Sequence, residues 1–445
     1  MNRRPARIVV VGAGSASFGL ETLFDLLGAR LALEGSTIVL VDVDADRLQK
    51  IAALARRAND FYEAGFRIEH TTDRKAALRG AQFVITAVAV RREELWKLDF
   101  EVPIRHGVKH VLGENGGPGA FFHSARSISL VLPIALDMEE ICPDAMLLNF
   151  TNPMSRVCRA VARHTRVRAV GLCHQIGHVY RLAGRVLGAA ERVPRNWDEM
   201  KAELIRVEKL YDVKAAGINH FTWLLDLRSR ADGSDLYPEF RRKIAAKPPD
   251  FEPLSRFLLD SFGLMPATGD QHLGEYISYA HEYTTMEGYD FAAAVKERDA
   301  MWERIDRMVA GSEPLPAQPP ASGERVVAII CAMLANENLP LPALNLPNEG
   351  YITNLPAGAI VEVPGTVSGW GVRGLGVGEL PRGIAELCRR QIEVQELVVE
   401  AVVTGSRSLA LQALLHDPLV SSAKAATGIL DELLRVEKDA LPTFA

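Results

Sequence analysis

Apolar positions in the first part of the chain come in short runs, separated by stretches with helical spacing. Arg7–Val11 is a β-branched run closed by glycine, which predicts a buried strand. Phe18–Leu33 then places Leu20, Leu23, Phe24, Leu27 and Leu31 at helical spacing. Thr37–Val41 predicts a second strand, Asp46–Arg57 a helix, Arg67–His70 a short strand and Ala81–Val90 another buried strand. Further on, Ser127–Glu140 reads as a helix, and Met146–Leu148 and Val167–Leu172 read as strands. Strands alternating with helices predict a mostly parallel sheet covered on both faces, an α/β fold of Rossmann type.

From about residue 200 the rhythm changes. Arg206–Ala215 and Phe221–Leu227 read as strand-rich segments around a loop, and long helical stretches begin near residue 325. This predicts two domains, 1–200 and an α+β domain over 201–445 that closes on the first. Gly311–Gly323 is a Pro/Ser/Gly stretch expected to be a loose loop.

Composition narrows the class. The chain is 48% hydrophobic and 24% charged, with a net charge of -5. That balance offers no clustered cationic face for nucleic acid, and basic pairs such as Arg91-Arg92 read as solvated surface. Cys142, Cys158, Cys173, Cys331 and Cys388 are odd in number and scattered, unlike a secreted disulfide framework. No run approaches the roughly eighteen apolar residues of a membrane span. These features predict a reduced, cytoplasmic enzyme.

The candidate chemistry begins at the first turn. Gly12 and Gly14 follow the first strand and precede a helix, where backbone N–H groups can take a pyrophosphate. Gly12, Gly14, Ser15, Ser17 and Phe18 are the expected dinucleotide contacts, with Ser17 standing where a third glycine is usual. Asp42 ends the second strand, placed to bind ribose hydroxyls and to repel a 2′-phosphate, so NAD is expected rather than NADP. Cys173-His174 follows a strand, and Gly217-Ile218-Asn219-His220 lies on a turn. A thiolate with an imidazole can bind a divalent metal, although a lone cysteine is more often packing. Asn149 and Asn152 flank a turn, where they can contact sugar hydroxyls or the nicotinamide, or simply cap it. Glu114 sits in the glycine-dense stretch 113–119, a close-approach loop, and is an expected substrate contact. Asp270, His272, Glu275 and Tyr276 form a dense set of proton-transfer groups or the polar start of a helix.

Taken together, GAGSASF (12–18), LVDVD (40–44), GENGGPG (113–119), NFTNP (149–153), Cys173-His174, GINH (217–220), NEGYITNLP (348–356) and VEVP (361–364) resemble glycoside hydrolase family 4. That resemblance implies a two-domain fold like lactate and malate dehydrogenases, and a metal, usually manganese, on Cys173 and His220. It implies that Asn149 and Asn152 contact substrate and coenzyme, and that the active form is a homodimer or homotetramer. The implied reaction departs from the two-carboxylate scheme of most glycosidases. Sugar C3 is oxidised with hydride passing to NAD, a base takes the C2 proton, the C1–O bond breaks by elimination, water adds and the hydride returns. His174 after the metal cysteine resembles the branch acting on unphosphorylated sugars, and Gln175 departs from the Ser or Gly associated with its α-glycosidase members. Some relatives use a tyrosine base; here Asp270 occupies that stretch, with Tyr276 second. His174 and His272 are expected to contact substrate or assist the leaving group. An anionic sugar, a uronide or sulfoquinovoside, needs a dedicated cation, with Arg91, Arg92 and Arg156 the candidates. The rival readings are a simple NAD-dependent dehydrogenase and an NAD-binding regulatory protein.

Overall fold

A computed structural model describes residues 5–16, 18–190, 194 and 197–445. Six parallel strands lie in the order 3-2-1-4-5-6: β1 (Arg7–Val11), β2 (Thr37–Val41), β3 (Arg67–Thr71), β4 (Phe83–Thr86), β5 (Met146–Asn149) and β6 (Arg168–Gly171). This is a doubly wound order whose reversal, between β1 and β4, makes the crevice where such sheets take ligands. The central strands are apolar on both faces because both are covered. Helices 18–28, 45–61 and 326–335 contribute to the core on one face. Helices 119–141, 154–164, 382–404, 407–416 and 423–436 contribute to the other.

The sheet continues past β6. β7 (Tyr211–Ile218), β8 (Phe221–Ser229), β9 (Met265–Pro266), β10 (Leu339–Pro347), β11 (Ile360–Ser368) and β12 (Gly371–Gly374) extend it antiparallel, in the order β6-β10-β11-β7-β8-β9 with β12 beside β11. One twelve-stranded sheet therefore runs through both sides of residue 200.

Several elements differ from the sequence reading, each for a local reason. β4 stops at Thr86 rather than Val90, because after Ala87 the backbone leaves the ladder and Val88 N–H donates to Thr151 Oγ1. The helix expected from Ser127 begins at Gly119, straight out of the glycine-dense loop. Gly119 is required there, since a Cβ would lie 2.3 Å from the Asp99 carbonyl oxygen. Arg206–Glu208 closes a helix, Trp197–Glu208, and the strand starts only at Tyr211. β10 to β12 interrupt the helices expected after residue 325. β10 carries Pro340, Pro342 and Pro347, which argue against a strand, and its register shifts between Leu341 and Leu344. The 311–323 loop is anchored: Leu315 is buried, Tyr62 Oη donates to the Pro316 carbonyl, and Ser322 donates to Asp25. Helix Gly119–Ile141 is long and apolar enough to cross a membrane, but 72% of its most apolar stretch is buried in the core.

Candidate functional site

The first turn closes over β1 with little room for side chains. A Cβ on Gly12 would lie 2.2 Å from the Ala87 carbonyl oxygen, and one on Gly14 would lie 2.8 Å from the Asp42 carboxylate. Gly14 N–H donates to Asp42 Oδ2 at 2.8 Å, so the acid at the end of β2 holds the turn in shape. Helix Phe18–Gly28 starts here, with Phe18 N–H donating to Ser15 Oγ. Ser17 lies outside the described residues. The close contact expected of a third glycine is made two residues later, where a Cβ on Gly19 would lie 2.3 Å from the Ala13 carbonyl oxygen. A four-residue gap after Gly14 hid that glycine from a motif search based on the usual spacing. Phe18 packs on Phe150, with ring centroids 4.4 Å apart.

Asn149 does not face an open site. It is buried, its Oδ1 accepts from Thr86 Oγ1 and Thr151 N–H, and its Nδ2 donates to the Thr151 carbonyl. Where a substrate contact was expected, its carboxamide builds the turn, with only the sulfurs of Met154 and Cys158 near the second Nδ2 hydrogen. Asn152 differs: its buried Oδ1 accepts no hydrogen bond.

Cys173 follows β6, and His220 sits on the β7–β8 turn in the left-handed region, at φ 61°. A non-glycine residue held there is strained, and such strain collects at functional sites. The turn is fixed from below by Glu362 of β11, a buried carboxylate that accepts from Asn219 Nδ2 at 2.7 Å, Asn345 Nδ2 at 3.1 Å and Thr222 Oγ1 at 2.7 Å. Cys173 Sγ and His220 Nε2 are thereby brought to 3.5 Å. A thiolate and an imidazole this close can donate to one divalent cation, so the pair fits a metal. Burial, then the neighbouring His272, keeps His220 neutral, the form that ligates. Burial raises the Cys173 thiol to about 12, so a cation must displace its proton. Among the described residues no group of three or more His, Cys, Asp and Glu could hold a metal ion.

His272 stacks on His220, centroids 4.6 Å apart and rings 7° from parallel. Its Nδ1 is 3.0 Å from Glu275 Oε2. Glu275 Oε1 accepts from the backbone N–H groups of Glu114, Asn115 and Gly116, at 2.6, 2.7 and 3.3 Å. Gly116 allows this approach, because a Cβ there would lie 2.3 Å from the Glu275 carbonyl oxygen. The glycine-dense loop thus acts as a cradle for a carboxylate that orients His272. Burial opposes a charge on His272, but the bond and charge of Glu275 hold its pKa above the usual value. Glu114 itself turns to Arg92, 2.9 Å away, and despite burial that cation helps hold its carboxyl down to about 2. Its expected contact with substrate is therefore replaced by support of the loop.

Asp270 lines the same cavity as His220 and His272. It also has a task the sequence did not reveal, capping helix Pro253–Phe262: Leu254 N–H donates to Oδ2, and Ser255 N–H and Oγ donate to Oδ1. Burial, then the charge of Glu252, raises its pKa to about 6. Tyr276 is displaced from the chemistry. Its hydroxyl is buried at 3.5 Å from the Asn219 carbonyl, its ring stacks on Phe221, and burial raises its pKa well above the ordinary value. Arg91 is exposed and pairs with Glu94 on its own helix, away from the cavity. Arg156, a candidate cation, is fully buried and donates to Ser124 Oγ.

The cavity measures about 570 Å³. His174, His178, His220, Asp270 and His272 line it, with Gln175, Arg181 and Thr268 toward helix Gly177–Leu187 and the segment after β9. His174 Nδ1 lies 3.0 Å from Glu324, which brings the end of the 311–325 loop to the cavity rim.

Two family models match the chain: Family 4 glycosyl hydrolase over residues 7–187, and the Family 4 glycosyl hydrolase C-terminal domain over 215–420. An alpha-glucosidase of Erwinia rhapontici is 34% identical, covering 96% of this chain and 97% of its own. An alpha-galactosidase of Bacillus subtilis is 32% identical, covering 98% and 99%. The fold matches a 6-phospho-alpha-glucosidase from gut microorganisms, solved in complex with NAD and Mn2+, at a TM-score of 0.83 and 22% identity over 99% of this chain and 100% of that one.

Proposed function

The chain belongs to family 4 of the glycosyl hydrolases, and from that premise we propose that it hydrolyses an unphosphorylated glycoside, with NAD and a divalent metal, manganese first, as resident cofactors. The observation that carries this is the Cys173–His220 pair, 3.5 Å apart, with His220 stacked on His272 and both rings on the wall of a substrate-sized cavity. The names of the alpha-glucosidase and alpha-galactosidase relatives support a glycoside substrate, and the NAD and Mn2+ of the similar solved structure support the cofactors. His174 directly after Cys173 and the names of those two relatives, neither of them a phosphosugar enzyme by name, support an unphosphorylated sugar. We read 1–200 as the coenzyme domain and 201–445 as the substrate and metal domain, a division the two model spans support.

Gly12, Gly14, Ser15, Ser17 and Phe18 would hold NAD, with Asp42 for its ribose hydroxyls and Asn152, whose buried Oδ1 accepts from no donor, for its carboxamide. Cys173 and His220 would hold the metal. When bound, these groups supply a hydride acceptor for oxidation at sugar C3 and a Lewis acid that acidifies the C2 proton. Asp270 takes that proton on Oδ2, the oxygen with the lighter hydrogen-bond load, at a pKa matched to work near neutrality. His272, fixed through Nδ1 by Glu275, presents its other nitrogen to the leaving-group oxygen. His174 at the rim orients the sugar.

With NAD, Mn2+ and a reductant, a panel of chromogenic α- and β-glycosides is expected to show cleavage without net NADH. The product formed in D2O should carry deuterium at C2. Net NADH from a free sugar or hydroxy acid, with no glycoside cleaved, would replace this reading with the dehydrogenase. Asp270→Asn is expected to lower kcat by about 10² to 10⁴ and to remove the limb on which kcat/KM rises through about pH 6. The sign follows from a base that works only when ionised. An unchanged limb in the variant would leave Asp270 with its helix-capping role alone.

A further inference from the structure

None of the three cations expected to read an anionic sugar reaches the cavity free. Arg91 pairs with Glu94, Arg92 with Glu114, and Arg156 is buried against Ser124. Helix Gly177–Leu187 supplies a different one. Its apolar side, Val179, Tyr180, Leu182, Ala183 and Val186, is buried, while His178 and Arg181 line the cavity. Arg181 forms no hydrogen bond or ion pair with any described residue. Glu203 and Glu252 lie near enough to act on it electrostatically but do not bond it, and Glu252 already accepts from Asp270 N–H and approaches His178.

Beside it, two neutral groups are left unsatisfied. Gln175 is 6% exposed, yet neither its amide oxygen nor its nitrogen has a partner. Thr268 is 1% exposed and its Oγ1 is equally alone. Both line the cavity. A buried polar atom without a partner is costly, so three such atoms and a free guanidinium on one wall are the mark of a site that a polar ligand completes.

We propose that Gln175, Thr268 and Arg181 form a subsite for a singly charged oxyanion on the sugar, a carboxylate or sulfonate at C6, with the Gln175 amide reading a neighbouring hydroxyl. The guanidinium offers a fork of donors that matches two anionic oxygens, and one unpaired cation matches one charge. The Gln175 amide offers one acceptor and a donor pair, which suits a hydroxyl rather than a second anion. This rests on the glycosidase reading for its catalytic consequence, but not for binding.

Two measurements separate the layers. Calorimetry on the protein with NAD and Mn2+ compares glucose and galactose with glucuronate, galacturonate and sulfoquinovose. Binding of at least one sugar acid, about tenfold or more tighter than its neutral counterpart and lost in Arg181→Gln, supports the subsite; partial recovery in Arg181→Lys supports it further. Gln175→Leu should bind that acid about tenfold more weakly while melting no lower than the wild type, since it removes an orphaned amide from the interior. A purely structural glutamine would show the reverse. Matched chromogenic glycosides that differ only at C6 give the catalytic arm, where Arg181→Gln should lower kcat/KM for the acidic member at least tenfold and for the neutral member less than threefold. Equal binding of acid and neutral sugars, or an equal loss on both in Arg181→Gln, overturns the proposal. If acids bind through Arg181 but no glycoside is cleaved, the subsite stands and the glycosidase reading falls.

Discussion

Serine at position 173 is expected to lower kcat/KM by about 10³ or more and to abolish tight Mn2+ binding, with little change in melting temperature. A thiolate facing an imidazole at 3.5 Å is a good borderline donor pair, and an alcohol in its place is a poor ligand. Lewis-acid assistance supplies several kcal/mol of transition-state stabilisation, and about 4 kcal/mol corresponds to that thousandfold loss. Mn2+ titration followed by magnetic resonance, beside steady-state kinetics, makes the comparison. Retained Mn2+ affinity together with retained kcat/KM would remove the pair from the reaction. His174→Ala is the useful contrast. That ring is more than half exposed and pairs with Glu324, so its loss should alter KM more than metal affinity.

The second large effect concerns stability. Arg126, on the long helix after the glycine-dense loop, is ion-paired with both Asp99 and Glu437, and all three side chains are almost completely buried. Burial raises the pKa of both carboxyl groups, and the Arg126 charge opposes that rise. Arg126→Met leaves two buried acids without their cation, and should cost about 3–5 kcal/mol. Denaturant midpoints across pH test the cause as well as the size. In the variant the folded state holds protons that the unfolded chain releases, so its stability should fall as pH rises through the raised folded pKa values and recover toward acid. A deficit independent of pH, or none, would show that the triad does not tie the C-terminal segment to this helix. Glu437→Gln should cost far less, because one carboxylate still matches the arginine.

Much of the parallel half could be read from sequence, because strands buried on both faces are written as uninterrupted apolar runs. β1, β2 and β3 start where the pattern places them, and β5 and β6 lie within a residue of it. β10 could not be read that way, since its prolines and register shift erase the alternation a strand needs. The coenzyme turn was visible as local spacing, apart from Gly19, whose role depends on how close Ala13 comes in space. Cys173 and His220 are 47 residues apart, so only resemblance joined them beforehand. Glu275 stood in the sequence only as one of a dense set of proton-transfer groups and Glu362 only within VEVP, while Arg181 carried no signal at all. Each matters through a partner or a wall brought near by folding: Glu275 meets the Glu114 amide across 161 residues of chain. Tyr276 and Asn149 show the converse, since both are buried against the fold and composition cannot distinguish a polar group facing a ligand from one facing the core.

The tie between Glu362 and the His220 turn also sets an order of assembly. The close contacts of the coenzyme turn fall among residues 12 to 87, so that crevice can take shape from the early part of a growing chain. The turn that presents His220 depends on a carboxylate 140 and 143 residues further along. A ribosome must therefore deliver most of the polypeptide before the imidazole can settle opposite Cys173. Until then the thiol stands without its partner, so the proposed metal pair is completed late in the life of each new molecule.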